Sequence, residues 1–268
     1  MFPIRTTLWP TKNVLATRET VGPSVPLRTG SAAPWIIATS LMLAALPAGA
    51  VTFDGEITYT TDYILRGISE TGGRSAGQID LRLNTADGSF AGAFASTLNR
   101  LWRHPWWGNL GWDYEIEGYI GHRFDFSQSW SSTLTGTYYA YVKGNAPFSD
   151  DYQEVSFSTS YLDLWTVELA VIPNAVRFDQ GYRMGRYPAY VVSTSGQVPV
   201  LGRLALTAGA GYYTSDEVGY GYGNVGLAFE IKSLRLDAGY YVTENRAQRL
   251  FPYGRAGNRF AATVSWHF

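Results

Sequence analysis

The sequence predicts an all-β protein, a transmembrane, antiparallel, up-and-down β-barrel of about twelve strands. Three observations predict this fold class. Apolar and polar residues alternate in segment after segment, aromatic residues are frequent while charged residues are scarce, and short and long links take turns between the segments. These features are typical of a barrel whose outer face meets lipid and whose inner face is polar.

The alternation is clearest in the last ten residues. In RFAATVSWHF (259–268) every even position is apolar and every odd position is polar or small. A period of two predicts a strand with two different faces. In a membrane barrel the last strand pairs with the first, so that no edge is left in lipid. The alternating segments are 51–67, 79–84, 90–98, 112–124, 130–143, 153–161, 165–172, 187–195, 203–213, 224–231, 234–242 and 259–268.

The same alternation assigns individual side chains to faces. In the first segment Tyr63 and Leu65 continue the lipid-facing set, and Ile64 is an exception among the polar positions. In the third segment Phe90, Phe94 and Leu98 are assigned to lipid, because the residues between them are small. We therefore expect the side chains of Tyr63, Leu65, Phe90, Phe94 and Leu98 on the outer surface of the barrel.

The composition fits a membrane protein built from strands. Aromatic residues make up 15 % of the 268 residues, mostly Tyr (19) and Trp (9), and charged residues make up only 16 %. Tyr and Trp favour membrane interfaces. A soluble β-sandwich would also alternate, but its surface would carry more charge. The absence of Cys excludes disulfides and thiolate metal sites.

The links between the segments alternate in length. Long links are predicted around 67–74, 100–110, 144–150, 173–185, 215–219 and 245–257, and short ones around 86–88, 125–129, 162–164, 199–202 and 232–233. Short periplasmic turns and longer outer loops are the usual asymmetry of such barrels. This places both ends of the barrel, residue 51 and Phe268, in the periplasm.

The first fifty residues are predicted to be a secretory signal peptide with an extended basic segment at its start. The apolar run WIIATSLMLAAL (35–46) is too short to cross a bilayer. Basic residues precede it, and Ala48-Gly49-Ala50 follows as a small-x-small cleavage pattern. The chain is thus divided into a signal peptide, 1–50, and a barrel, 51–268.

Charged residues at polar positions of the strands are candidates to line the lumen, since they would be costly against lipid. Asp113, Glu115 and Glu117 share one face of one strand. Such carboxylates could bind cations or transfer protons. The plainer interpretation is a ladder with nearby arginines, because no metal-loop spacing accompanies them. The full candidate set is Arg66, Asp80, Arg82, Asp113, Glu115, Glu117, Arg123, Glu168, Arg203, Glu230, Arg235 and Asp237.

Other motifs give little support to an enzyme. GYGNVG (221–226) matches G-x-G-x-x-G but leads into a strand, whereas a dinucleotide site needs a helix there. The three histidines, at 104, 122 and 267, are scattered. A hydrolase embedded in the membrane, with His122 or His104 as its base, is the remaining enzymatic alternative. We predict no enzyme, no cofactor, no metal and no nucleic-acid partner.

The predicted outer loops are basic, and this allows two interpretations. The arginines could attract anionic solutes, or they could contact phosphates of the outer leaflet, such as those of lipopolysaccharide. Trp102, Trp106 and Trp107 could anchor the interface or stack on sugars. The basic residues concerned are Arg66, Arg74, Arg100, Arg103, Lys143, Arg177, Arg183, Arg186, Arg246, Arg249, Arg255 and Arg259.

The segment Thr61–Thr71, TDYILRGISET, resembles the opening TSDYVFRGISQT of a family of bacterial outer-membrane porin-like proteins, Gcw_chp or TorF-type. The resemblance implies a signal peptide, an outer-membrane barrel of similar length and a C-terminal Phe. The motif residues are Asp62, Tyr63, Arg66, Gly67 and Ser69. We expect Arg66 to pair with a lumen carboxylate, with Asp62 and Asp80 as the named candidates.

Together, the predicted fold, the lumen residues and the family resemblance indicate a porin or channel for small solutes in a Gram-negative outer membrane. The alternative is a non-conducting structural or adhesive barrel whose loops bind lipopolysaccharide or a partner. The final strand, ending on Phe268, also resembles the signal that the barrel-assembly machinery recognises.

Overall fold

Twelve strands close into one antiparallel barrel in a computed structural model, which describes residues 51–104, 108–144, 149–179, 182–216, 218–251 and 254–268. Two further short strands form a separate hairpin. In chain order the elements are β1 (Val51–Thr60), β2 (Ile64–Leu65), β3 (Ile68–Ser69), β4 (Ala76–Thr85), β5 (Ser89–His104), β6 (Gly108–Asp125), β7 (Trp130–Gly144), β8 (Tyr152–Tyr161), β9 (Trp165–Asp179), β10 (Tyr182–Leu201), β11 (Leu204–Ser215), β12 (Val218–Ile231), β13 (Leu234–Thr243), α1 (Ala247–Leu250) and β14 (Arg259–His267).

The barrel closes between its first and last strands. Glu56–Thr60 of β1 pair with Thr263–His267 of β14, and β1 pairs on its other side with β4. Gly55 and Phe268 extend this seam by exchanging two backbone hydrogen bonds of 2.9 Å. Every barrel strand therefore has two neighbours, and the predicted fold class is confirmed.

The outer face of the barrel is apolar and its inner face is largely polar. Side chains such as Tyr59, Leu169 and Phe260 are exposed by 56, 55 and 71 % although they are large and apolar. Water would disfavour such a surface, whereas lipid favours it. Among the inward side chains that are buried are Thr58, Ser96, Ser131, Ser158, Ser160, Thr166, Ser193, Thr263 and Ser265.

The links divide the barrel into a short-turn end and a long-link end. The short turns lie at 86–88, 126–129, 162–164, 202–203 and 232–233, as predicted, and Val51 and Phe268 lie at the same end. A helix of four residues, α1, lies in the link between β13 and β14. No helix in the described part of the chain is long and apolar enough to span a membrane.

The described parts of two predicted long links are strand instead. β5 reaches His104 and β6 begins at Gly108, while β9 reaches Asp179 and β10 begins at Tyr182. The prolines of β9 and β10 obscured the second pair, because Pro in a strand reads as an interruption. Pro188 lies at a register shift between Tyr187 and Ala189, where a strand tolerates the missing N–H. The predicted signal peptide, 1–50, lies outside the described residues, as do Trp106 and Trp107.

β5 faces the opposite way from the prediction. Phe90, Phe94 and Leu98 are buried in the lumen, at 3, 7 and 8 % exposure, and the small residues between them face outwards. The register explains this, because Arg82 and Gly92 are partners on the inner face, while Leu83 and Ala91 are partners on the outer face. On the outer face, large and small side chains therefore lie beside each other on neighbouring strands, as Leu83 on β4 lies beside Ala91 on β5.

Replacing Gly121 by Ala is expected to destabilise the barrel by about 1–3 kcal/mol, the usual cost of overpacking. An added Cβ would lie 2.5 Å from the carbonyl oxygen of Leu134 and would overlap the ring of Phe90. The carbonyl is backbone and cannot move aside. Urea unfolding of the barrel measures the effect.

Gly118→Ala on the same strand is the matched control, because an added Cβ there meets no atom within 4 Å. Equal stability of the two variants would mean that Phe90 does not pack against Gly121 as described.

Candidate functional site

The family-like motif forms a hairpin inside the barrel. After Thr60 the chain leaves the wall, and β2 and β3 pair Ile64 with Ser69 and Leu65 with Ile68. Arg66 and Gly67 form the turn with φ of 52° and 77°, as a type I′ turn requires. All ten residues from 62 to 71 are buried. An outer loop of a barrel would be exposed to water, so this segment fills part of the lumen.

The tip of the hairpin contacts strands across the bore. One guanidinium nitrogen of Arg66 donates to both carboxylate oxygens of Glu154 on β8, at 2.7 Å each. The Tyr220 hydroxyl on β12 donates to the Arg66 carbonyl at 3.2 Å. The Thr243 hydroxyl at the end of β13 donates to the Gly67 carbonyl at 2.7 Å. The hairpin therefore spans the lumen from the β1–β4 side to the opposite wall.

An added side chain would not fit at the tip. A Cβ on Gly67 would lie 2.5 Å from Thr243 Oγ1 and 2.7 Å from Tyr222 Cβ. Its φ of 77° also lies in the region that favours glycine. The glycine of the motif is thus required by both the turn and the close approach to the wall.

The start of the hairpin is held by a second ion pair. Asp62 accepts hydrogen bonds from the hydroxyls of Ser69 (2.5 Å) and Thr71 (2.8 Å), and from a guanidinium nitrogen of Arg259 on β14 (3.0 Å). The Tyr63 hydroxyl donates to Glu115 on β6 at 2.9 Å. The motif residues Asp62, Tyr63 and Ser69 therefore fix the hairpin to itself and to the wall.

The link between β13 and β14 adds a third ion pair. The Ser69 N–H donates to the Arg255 carbonyl at 2.9 Å. The Arg255 guanidinium donates to the Ser69 carbonyl at 3.1 Å and to Glu70 at 2.7 Å. Ile68 and Ala256 form an isolated antiparallel bridge. This link therefore pairs with β3 and holds that edge of the hairpin.

Arg66 remains charged inside the barrel. Burial is the largest influence and opposes its charged form, but the Glu154 carboxylate and the nearby tyrosines together raise the pKa of the guanidinium well above its ordinary value. The Arg66 and Glu154 side chains are only 10 and 7 % exposed. An ion pair this well buried is costly to break by removing one partner.

The partner of Arg66 differs from the two that were named. Arg66 does bond to a lumen carboxylate, but that carboxylate belongs to Glu154, whereas Asp62 pairs with Arg259 and Asp80 accepts from the Tyr119 hydroxyl at 2.6 Å. Glu154 was missed, although its strand alternates and its outward neighbour Val155 places it on the inner face.

Tyr63 and Leu65 were assigned to lipid, and this was wrong. Both are buried in the lumen, because the chain turns inwards at Thr60 instead of continuing the strand. The sequence does contain a signal that the chain leaves the wall here. Tyr63, Ile64 and Leu65 are apolar at three consecutive positions, and a strand between lipid and a polar lumen needs alternation.

The other predicted lumen residues lie at four levels along the barrel. Glu115, Glu117 and Glu168 face the hairpin from β6 and β9, and Glu115 and Glu117 are fully buried. Nearer the short-turn end, the Arg82 guanidinium lies 3.7 Å from the centre of the Phe90 ring, and Arg235 pairs with Asp237 and Glu230. Arg123 pairs with Asp125 and Asp163 at the short-turn mouth. Asp113 is exposed near the long-link end of β6.

Arg203 does not line the lumen. It lies in the two-residue turn between β10 and β11 and is exposed. The alternation was extended one residue too far, because the strand begins only at Leu204.

Several arginines assigned to the outer loops are engaged in pairs. Arg255 and Arg259 point inwards to the hairpin, Arg177 pairs with Asp216, and Arg249 pairs with Asp179. Arg186 donates to the backbone carbonyls of Ser149, Asp151 and Asn174. The side chains of Arg100, Arg103, Lys143 and Arg183 lie outside the described residues. The mouth is therefore less positive than the count of arginines suggests.

The remaining chemical candidates lie at the short-turn end. The Ser89 hydroxyl lies 3.0 Å from His122 Nδ1 and donates to Asp87 at 3.0 Å. Because a carboxylate only accepts, the hydroxyl proton of Ser89 is directed to Asp87 in this arrangement. Within the described ranges no three His, Cys, Asp or Glu residues gather as metal ligands would.

The closed wall, apolar outside and polar inside, defines a transmembrane β-barrel of the outer-membrane type, here with a hairpin folded into its lumen. The chain belongs to the family described as "Bacterial protein of unknown function (Gcw_chp)", whose model matches residues 44–266. The predicted family is confirmed.

Solved structures of membrane proteins are similar to this chain at low sequence identity. A membrane protein from work on in-meso crystallization is 10 % identical, with a TM-score of 0.51, and the match covers 80 % of this chain and 83 % of that one. The KdgM porin and the NanC porin are each 10 % identical with TM-scores of 0.49, covering 80 % of this chain and 99 % of theirs. No curated protein matches the sequence.

Proposed function

We propose that the protein is a channel for small solutes in the bacterial outer membrane, and that the hairpin forms its constriction. The observation that supports this most is the polar lining of the lumen on the short-turn side of the hairpin. Arg82, Arg235 and Asp237 lie there together with many Ser and Thr side chains. A barrel that served only as an anchor could fill this space with apolar side chains, as small barrels do.

The orientation follows from the same proposal. The long-link end, which the hairpin narrows, faces the cell exterior, and the short-turn end with Val51 and Phe268 faces the periplasm. Solutes would meet the hairpin first and the polar lumen afterwards. The proposed partners are lipopolysaccharide at the outer rim and the barrel-assembly machinery at the strand that carries Phe268.

The constriction is expected to favour cations. Arg66, Arg255 and Arg259 are each paired with a carboxylate, so their charges are balanced locally. Glu115 and Glu168 lie at the same level of the lumen in addition. Rings of acidic side chains select cations in channels.

Recording single-channel current from the full chain in a planar bilayer tests the proposal. In potassium chloride we expect discrete steps, and under a salt gradient a reversal potential that shows cation preference. Glu115→Gln with Glu117→Gln should lower that preference, because two negative charges are removed from the constriction. Asp113→Asn, at the exposed end of the same strand, is the matched control.

The alternative is a non-conducting structural or adhesive barrel. It is favoured by one observation, the three ion pairs that hold the hairpin across the lumen. A barrel that is folded, as judged by its altered gel mobility after heating, and that never conducts would support this alternative and contradict the channel.

A further inference from the structure

An arginine and an aspartate face each other near the short-turn end without forming an ion pair. Asp54 on β1 and Arg82 on β4 are direct cross-strand partners in the closed wall. Side chains in such positions start about 5 Å apart at Cβ, close enough for a bridge. Within the described part of the chain, however, neither residue makes an ion pair. One charge of each sign is therefore left without an ionic partner at this level of the lumen.

The Arg82 guanidinium is held flat against the wall by Phe90. Its central carbon lies 3.7 Å from the centre of the Phe90 ring. Its Nε atom is buried and has no hydrogen-bond partner among the described residues. Because Nε is buried and the side chain as a whole is half-buried, the terminal nitrogens are the donors that a ligand could reach. A guanidinium stacked on a ring keeps a fixed plane, which suits bidentate contact with a carboxylate.

Neighbouring side chains keep the two charges apart. The Asn84 amide, at the next inward position of β4, donates to the Asp54 carboxylate at 2.6 Å. On the other side of Arg82, the Tyr119 hydroxyl donates to Asp80 at 2.6 Å. Gly92, the partner of Arg82 on β5, leaves room for this tyrosine, because an added Cβ would overlap the Tyr119 ring. The separation of Arg82 from the carboxylates is thus built into the wall.

The surrounding charges disfavour a ligand that carries only one sign. The charged groups that act on Arg82 at short range are Asp54, Asp80 and Arg123. Arg123 is itself bridged to Asp125 and Asp163. A simple anion on Arg82 would be repelled by the two nearby carboxylates, and a simple cation on Asp54 would be repelled by Arg82. A ligand with both signs satisfies both groups at once.

We propose that Asp54 and Arg82 bind zwitterionic solutes of the α-amino-acid type. The carboxylate of the solute would accept hydrogen bonds from the terminal nitrogens of Arg82, and its ammonium would donate to the Asp54 carboxylate. The two charged groups of such a solute are joined through a single carbon atom. One small molecule can therefore complete, between Arg82 and Asp54, the bridge that the two side chains do not make themselves.

This inference deepens the proposed function, on which its physiological meaning rests, because it names a class of solute that the channel would carry. The site lies on the short-turn side of the hairpin and opens to the short-turn mouth. A solute can reach it from that mouth without passing the hairpin. Binding and conductance can therefore fail separately.

The test compares three probes of nearly the same shape that differ in charge. L-alanine, L-lactate and L-alaninamide are titrated into the full chain, folded in detergent, with binding followed by ligand-observed NMR. Lactate has a hydroxyl in place of the ammonium, and alaninamide has an amide in place of the carboxylate. The pH is kept slightly acidic, so that the amine of alaninamide is protonated. Alanine is expected to bind about tenfold more tightly than either analogue, the usual effect of losing one charged hydrogen-bonding contact.

Two substitutions assign each charge of the solute to its residue. With Asp54→Asn, alanine should bind no more tightly than lactate, because the partner of the ammonium is gone. With Arg82→Gln, alanine should bind no more tightly than alaninamide, because the partner of the carboxylate is gone. A merely structural role of either residue would weaken the binding of all three probes alike.

The matched controls are Asp179→Asn and Arg249→Gln. They change an aspartate and an arginine that do form a bridge, at the long-link end of the barrel. Both should leave the preference for alanine unchanged. Every variant is first shown to be folded by its altered gel mobility after heating. If Arg82→Gln does not fold, Asp54→Asn, at an exposed position, decides the test alone.

The outcomes separate the two proposals. Equal affinity of the unmodified protein for all three probes would overturn the zwitterion site even if the channel conducts. A preference for alanine over lactate that survives Asp54→Asn would overturn it as well. The expected pattern of binding in a barrel that never conducts would support the zwitterion site and overturn the channel.

Discussion

Shortening the in-folded hairpin is expected to raise the single-channel conductance severalfold. The Glu70 N–H donates to the Tyr63 carbonyl at 2.7 Å, so the two residues already face each other as the last pair of a hairpin. An Asn-Gly turn can therefore replace Ile64–Ser69 without displacing the strands of the barrel wall. The change removes the tip that contacts β8, β12 and β13, and with it the main obstruction in the lumen.

The control for this experiment keeps the hairpin and changes the mouth. Arg249→Ala breaks an exposed pair with Asp179 at the long-link end, and it should leave conductance unchanged. If the unmodified barrel is silent and the shortened one conducts, the hairpin is a plug rather than a constriction. Unchanged conductance in the shortened barrel would mean that ions pass elsewhere or that the hairpin does not fill the lumen.

Replacing Glu154 by Gln is expected to destabilise the protein by about 3–5 kcal/mol, the usual effect of removing one partner from a buried ion pair. Arg66 would stay charged without the carboxylate that stabilises it. We expect a lower urea midpoint and noisier single-channel current, because the tip of the hairpin loses its anchor on β8. The charge-reversed double variant, Arg66→Glu with Glu154→Arg, should recover part of both losses.

A pair that is more exposed than Arg66–Glu154 provides the comparison. Asp163→Asn breaks the Arg123–Asp163 bridge, whose side chains are about one quarter exposed, at 23 and 24 %. Such a pair contributes about 0–1 kcal/mol. If Glu154→Gln costs no more than Asp163→Asn, the Arg66–Glu154 bridge does not hold the hairpin.

The barrel could be predicted from the sequence because its physics is local and repeated. Each strand must alternate between lipid and lumen, and the number of alternating segments gives the number of strands. The errors occur where this rule gives no information. In β5 both faces are apolar or small, so Phe90 and Ala91 could not be assigned from periodicity, and the register with β4 decides between them.

The hairpin could not be predicted in the same way. Its stability comes from contacts between residues far apart in the chain, such as Arg66 with Glu154 and Gly67 with Thr243. The charge of Arg66 predicted a carboxylate partner, but several acidic residues were available on the inner face. Only the fold determines which one the turn reaches. The tyrosines that surround the hairpin were visible in the composition, yet periodicity alone did not distinguish a lumen Tyr from a Tyr at the lipid interface.

The order in which the barrel is assembled matters for its contents. The hairpin joins the first two strands of the wall, yet the hydroxyl that holds its tip belongs to Thr243, 176 residues later in the chain. The hairpin is therefore synthesised early, and the strands that contact its tip are synthesised late. Once β14 joins β1, the hairpin is enclosed by a complete wall. We therefore expect the contacts between the hairpin tip and Thr243 to form only late in assembly, when β13 takes its place in the wall.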